Sequence, residues 1–105
     1  MASSEEFLSF ILDQLSSLDG ISYRKMMGEY ILYFKDKIFG GIYDDRLLVK
    51  PVSAAISSLP DAPLEKPYAG AKEMILVENI DDRDLLHNLI PKMYDELPYP
   101  KKRKS

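Results

Sequence analysis

Few residues in this chain could do chemistry. General acid–base catalysis needs a group titrating near neutral pH, held beside a nucleophile or a second titrating group. The single histidine, His87, has no serine or cysteine nucleophile placed beside it by any motif. It is expected as a surface or half-buried residue of a helix. Asp81, Asp82 and Asp84 could be mistaken for a metal-ligating cluster. They open an expected helix, where carboxylates satisfy free N–H groups and complement the dipole. Asp44 and Asp45 fall in a hairpin turn, where aspartate is favoured for local hydrogen bonding. Gly40-Gly41 lacks phosphate-loop spacing and sits inside an apolar strand pattern. It marks a close approach by another element.

One group could converge on a small molecule. Tyr68, Lys72 and Glu73 could line a pocket beside the Met26-Met27-Gly28-Glu29 turn. Buried titratable groups in a concave site would favour that alternative, a small-molecule-binding protein or minor enzyme. No catalytic set, cofactor site or metal site is expected from these residues.

The elements that must position these groups follow from periodicity. Ser3 and Glu6 have capping-box spacing, and Phe7, Leu8, Ile11, Leu12, Leu15 and Leu18 recur at helical spacing. A helix over about 4–18 is predicted, stopped by Gly20. The period then changes to two. Strands are predicted at about 21–27, 30–35, 38–43 and 46–50, with turns at Gly28-Glu29, Asp36-Lys37 and Asp44-Asp45. Connections this short permit only antiparallel neighbours. A short helix over 52–59, a Pro-rich surface loop over 60–70, a fifth strand over 71–77 and a helix capped by Asp81 complete the pattern. Pro91 lies inside that last helix and should kink it. Ile11, Leu15, Ile31, Ile42, Leu86 and Leu89 are the expected core.

If Asp36-Lys37 is a two-residue loop, Phe34 faces Phe39, Leu32 faces Gly41 and Tyr30 faces Tyr43 on one side of the sheet. Ile31 with Ile42, and Tyr33 with Gly40, fall on the other. Both sides are then apolar, and three helices need not cover both. The spare face calls for a loop, a ligand or another chain. Tyr30, Phe39, Gly41 and Tyr43 are the expected protein-interaction residues, and a homodimer built on them is the expected assembly.

Composition narrows the class further. At 105 residues with 46% hydrophobic and 30% charged side chains, the chain suits one soluble domain over 1–100. There is no cysteine, which excludes disulfides and thiolate chemistry and suits a cytoplasmic protein. The N-terminal MASSEEF has acids where a signal peptide needs basic residues, and no apolar run is long enough to span a membrane. The segment 101–105, KKRKS, reads as a basic disordered tail. With +4 in that tail and −3 overall, the remainder carries −7. An acidic body opposes strong direct nucleic-acid binding, which needs a basic face.

Several strings resemble the N-terminal domain of the TfoX/Sxy competence-regulator family. They are Met26-Met27-Gly28, Gly40-Gly41-Ile42, Leu48-Val49-Lys50-Pro51, then Pro67-Tyr68-Ala69-Gly70-Ala71-Lys72-Glu73-Met74 and Met93-Tyr94-Asp95-Glu96-Leu97-Pro98. Their order and spacing cover nearly the whole chain. Glu29 stands where many members carry a second glycine. The resemblance implies an α+β fold, an antiparallel sheet of about five strands flanked by N- and C-terminal helices plus a short internal helix, similar to secretion chaperones. It also implies a non-enzymatic regulatory role around bacterial competence and transcription, acting through protein contacts with an unknown partner. Competence regulators of this family usually carry a second domain after this one. The family offers no catalytic residues to transfer.

Overall fold

The computed structural model describes residues 4–98. Its first helix, α1 (Glu5–Gln14), starts at Ser4, whose extended backbone turns its hydroxyl to accept the Phe7 N–H at 3.1 Å. The expected cap partner Ser3 lies outside the described residues. The helix is shorter than its apolar spacing suggests. Leu15 is its C-cap, and Leu18 N–H closes a further turn on Leu15 C=O. The buried stripe therefore continues past the helix itself.

Four strands follow as an antiparallel meander: β1 (Ile21–Met26), β2 (Glu29–Phe34), β3 (Lys37–Ile42) and β4 (Leu47–Val49). Then come α2 (Ser53–Ser58), β5 (Leu64–Glu65), β6 (Met74–Leu76), α3 (Arg83–Met93) and a 3₁₀ turn, Tyr94–Glu96. The sheet has six antiparallel strands in the order β1-β2-β3-β4-β6-β5. The α+β class and helix placement match expectation. The sixth strand is β5, a two-residue pairing inside the Pro-rich segment.

Three hairpin turns set the sheet's geometry. Met27-Gly28, Lys35-Asp36 and Asp44-Asp45 each place two consecutive residues at positive φ. That is the signature of the turns whose twist matches paired strands. The first two lie one residue earlier than the sequence suggests. Lys35 accepts a φ of 49° although it is not glycine. Its N–H is held by Gly20 C=O at 2.9 Å, which ties the turn to the end of the α1 segment.

All three helices contribute to one hydrophobic core against one side of the sheet. Leu8, Ile11 and Leu15 meet Leu86, Leu89, Ile90 and Met93 over Tyr30, Leu32, Phe39, Val49 and Ile75. Five of the six expected core residues are buried there, and Ile31 is not. Asp82, not Asp81, caps α3, accepting Leu85 N–H at 3.1 Å. Pro91 stays within α3, which runs two residues further. The tail at 101–105 lies outside the described residues. Among those described, no helix is long and apolar enough to cross a membrane.

Candidate functional site: the open side of the sheet

The β2–β3 register decides which side chains face outward. The turn at Lys35-Asp36 pairs Phe34 with Lys37 and Tyr33 with Ile38. The register then shifts, leaving Phe39 unpaired, and Leu32 pairs with Gly40, Ile31 with Gly41 and Tyr30 with Ile42. Phe39 is thus the extra residue of a β-bulge, which sends it and its neighbour Gly40 toward the same side. That side is the helix side.

Two rows of paired residues show the asymmetry. Tyr23, Leu32, Gly40, Val49, Ile75 and Leu64 run across all six strands on the helix side. Arg24, Ile31, Gly41, Leu48 and Leu76 run across five strands on the other. Ser22, Tyr33 and Ile38 share that open side.

This corrects the expected interaction set. Tyr30 and Phe39 are 2% and 1% exposed and belong to the core, so they line no free surface of the monomer. Gly41 and Tyr43 do lie on the open side. Two causes split the set: the helices pack on the side that carries Tyr30, Leu32, Phe34 and Phe39, and the bulge puts Gly41 and Tyr43 on the opposite side, because side chains alternate.

The glycine pair has two different jobs. A methyl group on Gly40 would collide with Leu48 C=O and meet Val49 Cα at 2.9 Å. Backbone of β4 therefore passes directly against it. A methyl group on Gly41 would instead meet the Tyr43 ring at 2.6 Å and Tyr30 C=O at 2.7 Å. The Tyr43 ring lies over Gly41 on the open side.

Part of that side is covered. Arg46 Nη1 donates to Glu65 Oε1 at 2.6 Å, and Nη2 reaches the Lys66 and Pro67 carbonyls at 3.4 and 3.5 Å. This clamp draws the segment after β5 over β4. The Tyr68 ring comes within 6.2 Å of Tyr43, and Leu48 is fully buried without joining the main core. Burial pushes the Tyr43 phenol above its ordinary value, with Tyr68 and Glu29 adding to the rise. Burial pulls the Lys50 ammonium below its own. The cover stops short of β1 and β2. Ile31, Tyr33 and Ile38 are half-buried, and Arg24 and Met26 are exposed.

The candidate chemical groups do not assemble. Tyr68 is 63% exposed, and Lys72 and Glu73 are exposed too. The clefts beside α1 and around the start of α3 include none of the three. Glu29 is engaged elsewhere, accepting Asp44 N–H at 3.2 Å. Ser17 Oγ lies 2.9 Å from both ring nitrogens of His87, and Nε2 lies 2.9 Å from Gln14 C=O. A hydroxyl facing the ring between its nitrogens is not the directed bond of a nucleophile and its base. His87 instead ties α3 to the end of α1. Among the described residues, no group of three or more His, Cys, Asp or Glu is placed to hold a metal ion.

Three features were not anticipated. Lys37 is 5% exposed, donates to Tyr94 C=O at 3.0 Å and sits 4.0 Å from the centre of the Tyr94 ring. Gln14 is buried and donates to Ile80 C=O at 2.8 Å. Arg46 holds the cover. Each acts on a residue more than fifteen positions away, which local pattern does not reveal.

The comparisons agree with this architecture. A 12.7 kDa protein from the trpE 5′ region of Spirochaeta aurantia, described as uncharacterized, is 29% identical over 106 residues, spanning all of this chain and 92% of its own. No solved structure matches. The family description "TfoX N-terminal domain" matches residues 13–95, from the last two residues of α1 into the 3₁₀ turn, and the chain belongs to that family.

Proposed function

We propose that this protein is a non-enzymatic, cytoplasmic interaction module with a regulatory role of the kind implied by its resemblance to competence regulators. One observation carries the reading: all the core-forming helices lie on one side of the sheet, and the Tyr68 cover leaves Ile31, Tyr33 and Ile38 only half-buried on the other. An apolar sheet surface of this kind is a contact surface. Its simplest occupant is a second copy, because two-fold pairing uses one patch twice. Tyrosine suits such a contact, since its ring buries well while the hydroxyl stays wet. Asp82, Asp44, Asp45 and His87 serve caps, turns and inter-element ties, and Tyr68, Lys72 and Glu73 stay exposed without converging, which favours binding over catalysis.

Light scattering tests the reading. At high micromolar concentration the wild type should be a dimer, and Tyr33→Glu should be a monomer with unchanged circular dichroism. A monomeric wild type that also retains no protein from its native cytosol overturns the proposal.

A further inference from the structure

We infer that the free edge of β1 is a docking strand for an extended, acidic segment of a partner protein. The inference rests on the interaction-module reading and names the partner's chemistry. Among the described residues β1 pairs only with β2, so its outer edge of six residues has no strand partner there. The opposite edge of the sheet, β5, is only two residues long. Addition of a strand to an exposed edge is a standard mode of peptide recognition.

Three observations specify the occupant. A groove of about 490 Å³ runs beside β1, lined by Leu12, Leu15, Leu18, Ile21 and Tyr23. It would take apolar side chains opposite Ile21 and Tyr23. Of the seven large hydrophobic side chains exposed among the described residues, Tyr23, Met26 and Met27 lie on β1 or its turn, and Met27 is 96% exposed. Finally, Arg24 and Lys25 are adjacent, exposed and on opposite sides of the strand, and among the described residues neither makes an ion pair. Outside the tail the chain carries −7, so this basic pair stands against the general charge. A partner strand with acids opposite both, followed by alternating apolar residues, satisfies edge, groove and charge together.

The sign of the charge disfavours other occupants. Antiparallel pairing of two β1 edges would bring Arg24 and Lys25 near their own copies, which is how edges are protected from self-pairing. Residues 101–104 are all lysine or arginine and carry the wrong charge to dock here. Glu5 lines the cleft beside Lys25, so the apolar end of the groove, not that cleft, must receive the large side chains.

The test uses the full chain, isotope-labelled, and two capped eight-residue peptides that carry two adjacent charged residues, both glutamate or both lysine, followed by leucine alternating with serine. Amide shifts within 21–26 should follow the glutamate peptide, and the lysine peptide should bind at least about tenfold more weakly. The double variant Arg24→Glu, Lys25→Glu should reverse that preference; both side chains are exposed, so it should fold. Equal binding of both peptides, no shifts in β1, or no reversal overturns the docking-strand inference. Shifts in β1 that grow with protein concentration alone would assign the edge to a second copy and overturn it too. The open-face reading is judged separately, by Tyr33→Glu in light scattering.

Discussion

The two sides of this sheet are built from similar residues and have opposite fates. On the helix side, Tyr30, Leu32, Phe39 and Val49 are sealed beneath three helices. On the open side, Ile31, Tyr33 and Ile38 are partly wet, and cover comes from Tyr43, Tyr68 and the segment held by Arg46. Hydrophobicity alone does not separate them, since each side carries aromatic and branched residues. Coverage does, and coverage follows from where the helices dock and how the β2–β3 register falls. An apolar residue on the first side holds the fold. The same residue type on the second is free to meet another molecule.

Truncations should expose the contrast most strongly. Phe39→Ala should cost about 3–5 kcal/mol, and Leu15→Ala or Leu89→Ala about 2–5, in urea melts of the monomer. Ile31→Ala and Tyr33→Ala should each cost under about 1 kcal/mol, as substitutions outside a packed core do. Similar losses on both sides would mean that the open side is packed as tightly as the core.

The glycines sharpen the same comparison. Gly40→Ala should destabilise by about 1–3 kcal/mol, because the obstacle is β4 backbone that cannot rotate away. Gly41→Ala meets the Tyr43 ring as well as Tyr30 C=O, and the ring can shift. Its cost should be the smaller of the two. Lys37→Met comes next. It keeps the packing against Tyr94 and removes one of the two hydrogen bonds that carbonyl accepts, the other coming from Leu97 N–H, at about 0.5–1.5 kcal/mol.

The smallest effect is a pH dependence. Tyr43 has its folded-state value raised, so its contribution is fully present below its ordinary value of 10.0 and is lost as pH rises through the folded value. Lys50 runs the other way: its folded value is lowered, so the penalty of holding its ammonium fades as pH rises toward 10.5. Tyr43→Phe should therefore retain more of its stability than wild type above pH 10, and Lys50→Met should lose more. Alkaline denaturation curves that superimpose for all three would remove the cover as the cause.

Much of this arrangement was legible in sequence. The N-terminal helix, though capped by Ser4 rather than Ser3, the meander with its Asp44-Asp45 turn and the helix carrying Pro91 all follow from periodicity and breakers. The register of the β2–β3 hairpin did not. A sheet with one polar side declares its register, because a slip of one residue buries charge. Here both sides are apolar, so the pattern tolerates either choice. The Lys35-Asp36 turn also lacks the glycine that marks the favoured hairpin turns. It is stabilised by Gly20, fifteen residues earlier, and by the pull of buried Lys37 toward Tyr94. The bulge at Phe39 then sends Gly41 to the open side, while Tyr30, Leu32 and Phe34 stay together on the helix side. All four of Tyr30, Phe39, Gly41 and Tyr43 are expected on one outward surface; the bulge separates Gly41 and Tyr43 from the other two, and the helices cover Tyr30 and Phe39.

Charge placed on each side gives the most direct test. Phe39→Glu and Tyr33→Glu insert the same carboxylate on neighbouring strands, on opposite sides of the sheet. Thermal melts followed by circular dichroism should show no cooperative transition for Phe39→Glu. Tyr33→Glu should melt within the few degrees that about 0.5–1 kcal/mol produces in a domain of this size. Two variants that unfold alike, or a Phe39→Glu protein that melts like wild type, would contradict a sheet with one sealed side and one open side.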